Sequence, residues 1–237
     1  MKKIHINYAD KSYYQAQKVN SQSALDIAKV DGIIQYSRAN LDDKFINKNS
    51  NILNQPRGAG YWLWKPYIIN KTLDLVDDGD IVFYTDSGSN FINPCQSLYD
   101  KVLLDKNQII LFELNSNHTN RNWVKRDCFY YLNLDSEDYA NKVQILASFV
   151  ILVKNEFTKK FVAEWLHSCE DYRVITDSPN ECGLPNYNQF MDHRHDQSVL
   201  SLLGRKHNIT TMPDISQFGS DRLQELGQLI NHTRSRG

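Results

Sequence analysis

The chain has 237 residues, a formal net charge of −1 and a pI near 6.6, with 41% hydrophobic and 23% charged residues. A packed core is within reach of such a composition, general disorder is not expected, and the missing basic excess argues against dedicated duplex-DNA binding. The length suits one α/β domain more readily than two small ones. In chain order, Lys3 to Tyr8 (KIHINY) alternates and reads as a first strand, Ser21 to Ala28 as the start of a helix, and Gly32 to Tyr36 as a second strand. Asp42 to Asn54 reads as an irregular loop, and Pro66 to Val76 as a helix with proline in its first turn. Asp77 to Asp80 is a turn before a buried strand, Ile81 to Tyr84, and Ile109 to Leu114 is another strand. Gln144 to Val153 reads as a strand in the middle of the sheet and Glu156 to Cys169 as an amphipathic helix. Asp171 to Asn188 is loop-rich, Asp196 to Leu203 opens a helix, and Ile209 to Met212 is a short late strand. Alternating strands and helices predict an α/β fold with a largely parallel or mixed sheet.

The four cysteines, Cys95, Cys128, Cys169 and Cys182, form no CxxC pair, which suits a reduced, cytoplasmic setting. The start, MKKIHINYAD, lacks the apolar core of a signal peptide. The longest apolar run, Ile145 to Val153, is far short of the roughly 20 residues needed to span a bilayer. Peripheral contact at the inner membrane face is compatible with this composition.

Chemistry concentrates after the buried strand. Thr85-Asp86-Ser87-Gly88 places a carboxylate beyond a strand's carboxyl end, where α/β sheets bind ligands, beside small residues that admit phosphate or sugar. One carboxylate acting with substrate phosphates is a common way to hold Mg²⁺ or Mn²⁺, although an Asp in such a turn can also simply cap it.

Three blocks, RGAGYWLWKP (Arg57 to Pro66), DGDIVFYTDSG (Asp78 to Gly88) and HRHDQSVLSLL (His193 to Leu203), with a weaker INHTRSR near the end, resemble nucleotide-sugar-dependent glycosyltransferases of the GT-A fold. The resemblance is to bacterial and viral members with a Gly-Tyr-Trp-x-Trp-Lys-Pro segment, and more distantly to glycogenin-like enzymes. It implies a single domain with a Rossmann-like mixed sheet flanked by helices. The part up to about residue 114 would bind nucleotide, and the part from about 115 would bind acceptor. It implies a nucleoside diphosphate sugar donor of UDP or GDP type, a glycan or glycolipid acceptor, no nucleic acid partner and a divalent cation, Mn²⁺ or Mg²⁺.

Residue by residue, Asp86 takes the role of the first metal-binding aspartate, while Gly88 stands where the second would be. His232 is then the expected remaining metal ligand, with His207 a weaker candidate. Asp196 and Gln197 match an Asp-Gln pair beside the transferred sugar, and the alternative reading of Asp196 is a helix N-cap. Tyr8, Arg57, Trp64, Lys65, Ser87, Gly88 and Arg194 are expected at the donor, with Tyr8 at the nucleobase and Lys65 at phosphate or a sugar hydroxyl. Gly58 and Gly60 read as a flexible approach, and of Trp62 and Trp64 one is expected in the core. His193 and His195 look metal-like, but Arg194 or His195 is better suited to orienting Asp196 or meeting phosphate. Gln144, Ala147 and Ser148 are expected near the donor sugar, Asp127 and Glu113 are weaker acidic candidates, and Arg234 and Arg236 are placed to reach a diphosphate. The rivals are a carbohydrate-binding module and a sugar-nucleotide nucleotidyltransferase. The latter lacks its glycine-rich loop, because Tyr8-Ala9-Asp10-Lys11 contains no glycine.

Overall fold

The structure, a computed structural model, describes residues 1–222 and 225–233. The expected diphosphate contacts of Arg234 and Arg236 lie outside the described residues. The strands are β1 (Lys3–Tyr8), β2 (Gly32–Tyr36), β3 (Ile81–Thr85), β4 (Ser89–Phe91), β5 (Ile109–Glu113), β6 (Ile145–Val153), β7 (Thr210–Pro213) and β8 (Ile230–His232). Six of them form one mixed sheet in the order β2-β1-β3-β6-β5-β7, while β4 and β8 form a separate antiparallel ribbon. β1 runs parallel to β2 and β3, and β5 parallel to β7; β6 is antiparallel to both of its neighbours. This is the single-domain α/β architecture expected from the alternation of elements.

The continuous apolar run of β6 follows from its place. It is paired on both edges and covered on both faces, so all nine residues are buried. Alternation along the strands divides the core into two layers. Val82, Tyr84, Val150 and Leu152 face one layer, which also contains Trp165 and Leu203. Ile81, Phe83, Phe149 and Ile151 face the other, with Leu98 and Tyr99. The β5 register is broken where consecutive residues Leu111 and Phe112 oppose Val150 and Leu146. Ala147, Ser148 and Phe149 therefore bulge out of the β5 pairing, close to the end of β3, a device that re-aims groups toward a site.

Several expectations for local structure are corrected. The first helix is Tyr14–Asp26, beginning before the expected Ser21, and its buried side includes Gln17, Asn20 and Ser21. A polar buried face leaves no apolar periodicity to read. Asp42 to Asn54 is not an irregular loop: it contains the helices Asp43–Lys48 and Ser50–Leu53, anchored by Phe45, Ile52 and Leu53. A helix at Gln96–Leu104 was not foreseen, nor were the short helices Asn120–Trp123, Arg126–Tyr131 and Glu137–Asn141. The helices Trp64–Leu75, Glu156–Cys169 and Asp196–Lys206 fall where the pattern puts them. Among the described residues no helix is long and apolar enough to cross a membrane.

Phe149 lies fully buried in β6, edge-on to Phe112 and His232. Phe149→Ala should lower unfolding free energy by about 3–5 kcal/mol through lost burial and a cavity, measured by urea denaturation.

Candidate active site

Asp86 follows β3 directly, and its surroundings hold it from three sides. Its backbone N–H donates to Ser148 O at 2.9 Å, in the β6 bulge. The Tyr84 hydroxyl donates to Asp86 Oδ1 at 2.6 Å. Beneath the turn, the Asn20 amide donates to Thr85 Oγ1 and to the Ser89 carbonyl, both at 2.9 Å. The polar face of the Tyr14–Asp26 helix therefore braces the residues on either side of Asp86. His5 Nε2 meets Thr85 Oγ1 at 2.9 Å, and burial pushes the His5 imidazole down to about 3, so it stays neutral.

Lys65 reaches Asp86 from an unusual piece of backbone. Gly58, Ala59, Gly60, Tyr61 and Trp62 all have positive φ, between 51° and 99°, forming a turn of left-handed helix before the right-handed Trp64–Leu75 helix. A Cβ on Gly60 would stand 2.6 Å from Leu53 Cα, and one on Gly58 would stand 2.3 Å from the Trp62 ring. These glycines permit handedness and close packing; the flexible approach expected of them is corrected. For the three non-glycine residues the conformation costs about 1–2 kcal/mol each. The Trp64 indole closes the turn by donating to Gly58 O at 3.0 Å.

The Lys65 ammonium, 3% exposed, lies 2.9 Å from Asp196 Oδ2 and 3.4 Å from Asp86 Oδ1. It also lies over the Tyr84 ring, 5.4 Å from its centroid. Asp196, also 3% exposed, is the first residue of its helix; the N-cap is His195, and the capping alternative for Asp196 falls away. The Trp165 indole donates to Asp196 O at 3.0 Å. Burial pushes the Asp196 carboxyl up to about 6, with Lys65 opposing and Asp86 adding to the rise. Burial also works to raise Asp86, but Lys65, His232, Tyr84 and Ser148 outweigh it and hold that carboxyl below its ordinary value. Burial disfavours the Lys65 ammonium, yet the two carboxylates prevail and raise its pKa.

The β6 bulge also positions Gln197. Its Oε1 accepts from Ala147 N–H at 3.2 Å, and its Nε2 donates to Gln144 Oε1 at 2.7 Å. Gln144, Ala147 and Ser148 thus link Gln197 to Asp86.

The β4–β8 ribbon places His232 opposite Ser89. The Gln217 side chain accepts from His232 N–H and donates to its carbonyl, both at 2.9 Å, acting as a one-residue strand partner. Thr233 donates its hydroxyl proton to Gly88 O at 3.1 Å, and Ser87 Oγ donates to Tyr8 O at 2.7 Å. No sequence pattern announced the role of Gln217, because only the tertiary pairing creates it. One carboxylate oxygen with one imidazole nitrogen, supplemented by phosphate and water, is a donor set that suits Mn²⁺ better than Mg²⁺, whose preferred donors are all oxygen. No group of three or more His, Cys, Asp or Glu able to hold a metal occurs among the described residues. His207 lies elsewhere, its Nε2 2.6 Å from Glu164.

Other candidates are already engaged. Tyr8 and Trp64 are 6% and 5% exposed and stack on each other at 3.9 Å. They form a wall beside Lys65 rather than open platforms. Trp62 packs on the His195 ring. Arg57 pairs with Asp177 at 2.9 Å and Asp192 at 2.6 Å. The Arg194 guanidinium lies 4.0 Å from the Trp123 ring centroid.

His193 Nδ1 accepts from Lys125 N–H, so its Nε2 carries the proton donated to Val174 O. His195 Nδ1 meets Ile175 O at 2.8 Å, and burial pushes its imidazole down to about 4. Both rings are held neutral as backbone anchors. Asp127 accepts from the N–H groups of Glu181 and Cys182, and Glu113 accepts from Arg205 and Thr211. Both weaker acidic candidates thus serve as structural anchors.

No protein-family model matches the chain, and no curated protein matches it in sequence. Solved structures match in fold. Mouse xyloside xylosyltransferase 1, in its apo form, aligns over 98% of this chain and 96% of its own, with TM-score 0.50 and 11% identity. The apo-form glycosyltransferase GlyE of Streptococcus pneumoniae TIGR4 aligns over 98% of this chain and 54% of its own, at TM-score 0.48 and 16% identity. Galactosyltransferase LgtC, in complex with donor and acceptor sugar analogues, aligns over 84% and 70%, at TM-score 0.46 and 14% identity. The fold is that of the GT-A class: a mixed six-stranded α/β sheet flanked by helices.

Lys65→Met keeps much of the volume and removes the charge. The Asp196 carboxyl should then titrate well above its present value near 6, read by carboxyl ¹³C NMR. In the native protein the raised Asp196 pKa means that this group's contribution to stability falls as pH rises from about 4 to 6, since the folded state holds the proton longer. Gly60→Ala should destabilise by more than 1 kcal/mol, given φ of 99° and the contact with Leu53, seen as a lower urea midpoint.

Proposed function

We propose that the chain is a glycosyltransferase that moves a sugar from a nucleoside diphosphate donor to a hydroxyl of a glycan or glycolipid acceptor. The observation that carries this reading is the buried Asp86–Lys65–Asp196 ion cluster at the carboxyl end of β3, within a GT-A fold. An ammonium and two carboxylates with opposed pKa shifts, collected where α/β sheets bind ligands, are a costly arrangement for a purely structural role. A carbohydrate-binding module has no need of such a cluster. The nucleotidyltransferase reading remains without its glycine-rich loop.

In this reading Asp86 and His232 hold a divalent cation, Mn²⁺ or Mg²⁺, together with the donor. The cation supplies neutralisation of charge on the departing diphosphate. Lys65 meets phosphate or a sugar hydroxyl, and its pairing with Asp196 holds that carboxylate toward the sugar. Asp196 stabilises positive charge at the anomeric carbon or accepts the acceptor's proton, and Gln197 fixes sugar hydroxyls. Residues up to about 114 carry the nucleotide side and those beyond carry the acceptor side, with Asp196, Gln197 and His232 reaching back to the donor. Three buried free cysteines and one partly exposed one suit a cytoplasmic location. A lipid-linked acceptor would bring the protein to the inner membrane face.

A thermal-shift screen of UDP, GDP, CDP and dTDP with and without Mn²⁺ tests the reading. UDP or GDP at about 100 times its dissociation constant should add about 2.7 kcal/mol, or roughly 5–10 °C for a chain of this size. Mn²⁺ should enlarge the shift, and Asp86→Asn should remove that increment with the fold intact. Tight Mn²⁺ binding without nucleotide, or no response to any nucleotide, would contradict the proposal. Once a donor is found, Asp196→Ala should reduce turnover far more than nucleotide affinity; an equal loss of both would remove Asp196 from the chemistry.

A further inference from the structure

Two stretches of left-handed backbone meet at the site. One is the turn Gly58 to Trp62; the other is His195, with φ of 53° and ψ of −120°. They touch: the Tyr61 and Trp62 ring centroids stand 4.8 Å and 5.4 Å from that of His195. Each leads within a few residues into one half of the buried ion pair, the first into Lys65 and the second into Asp196. Backbone of this kind persists only where its surroundings over-determine it.

Arg57, the residue before the first stretch, supplies an outer tie. Its Nη1 lies 2.9 Å from Asp177 Oδ2 and its Nη2 lies 2.6 Å from Asp192 Oδ2. Those carboxylates stand at the two ends of the irregular segment 178–191, so one planar guanidinium closes the neck of that loop. The loop body is anchored independently: Asp127 accepts from Glu181 and Cys182 N–H, and Lys125 Nζ donates to Ser178 O at 2.7 Å. Arg57 adds a side-chain tie at the neck, beside backbone bonds from Met191 N–H to Asn122 O at 2.8 Å and from Arg194 N–H to Trp123 O at 3.1 Å, and there Asp177 Oδ1 also lies 3.7 Å from His195 Nε2.

We propose that Arg57 is a positioning residue: it clasps Asp177 and Asp192 to the left-handed turn and so sets the register of Lys65 against Asp196, instead of contacting the donor. Its importance for catalysis rests on the glycosyltransferase reading; the clasp itself does not.

Hydrogen exchange by mass spectrometry on Arg57→Ala, Arg57→Lys and Asp192→Asn tests this without substrate. In Arg57→Ala, amides of residues 58–63 and 193–197 should exchange roughly three- to tenfold faster, with β3 and β6 unchanged. Asp192→Asn should give a smaller effect at the same places. Arg57→Lys, which keeps the charge but not the fork, should fall between wild type and Arg57→Ala. The ¹⁵N signal of the buried Lys65 ammonium should shift or broaden in Arg57→Ala and recover partly in Arg57→Lys.

UDP affinity, where UDP binds, should change less than about threefold. Unchanged exchange and an unchanged Lys65 signal would overturn the clasp. So would an affinity loss above about tenfold with unchanged exchange, which would make Arg57 a donor contact. If Arg57→Ala does not fold, Asp192→Asn and Arg57→Lys decide by the same readouts. Failure of every nucleotide to bind would count against the proposed function alone.

Discussion

The structure turns on a single ammonium group. Lys65 is almost wholly enclosed, and it is stable there as a cation because Asp86 and Asp196 lie within ion-pair distance. Taking three charges out of water is expensive, and the attraction among them offsets the penalty only when their positions are held closely. Much of the surrounding architecture supplies that hold. The β6 bulge and Asn20 brace Asp86, the left-handed turn aims Lys65, and Trp165 fixes the backbone of Asp196. The carboxylates are held in unequal states. Asp86 faces a lysine, a histidine and two hydroxyls and stays ionised well into acid, whereas Asp196, buried with the lysine as its main counter-charge, titrates near 6.

Much of the scaffold could be read from the residues. β6 announced itself as an unbroken apolar run because it is sandwiched, and Glu156–Cys169 because one of its faces meets the core. The Tyr14–Asp26 helix could not be read in the same way, since Gln17, Asn20 and Ser21 interrupt the small apolar Ala16 and Ala24 on its inward face, with Asn20 bracing the residues around Asp86. The β4–β8 ribbon is not legible in the sequence, because three-residue strands carry no periodicity.

The ordered blocks mark the candidate residues but do not show how they pair. Nothing in RGAGYWLWKP says that its backbone winds left-handed, although the two glycines were a partial signal. Nor does Arg57 show in sequence that its charge is matched by carboxylates well over a hundred positions away. The absent second carboxylate is clearer in three dimensions. At Gly88 the chain spends its carbonyl on Thr233, tying the turn to the strand that carries His232. The turn that carries Asp86 is thereby joined to an imidazole.

That junction has a temporal side. Gly88 and Thr233 are 145 positions apart, so the ribbon beside Asp86 waits on a strand synthesised long after β3. At elongation rates of about 5–20 residues per second, the interval is roughly 7–30 seconds. Throughout it, β1, β2 and β3 can already be paired while the turn after β3 lacks its histidine. A nascent chain would then display part of the sheet with the turn after β3 still unpaired, and the β4–β8 ribbon would close as one late docking event.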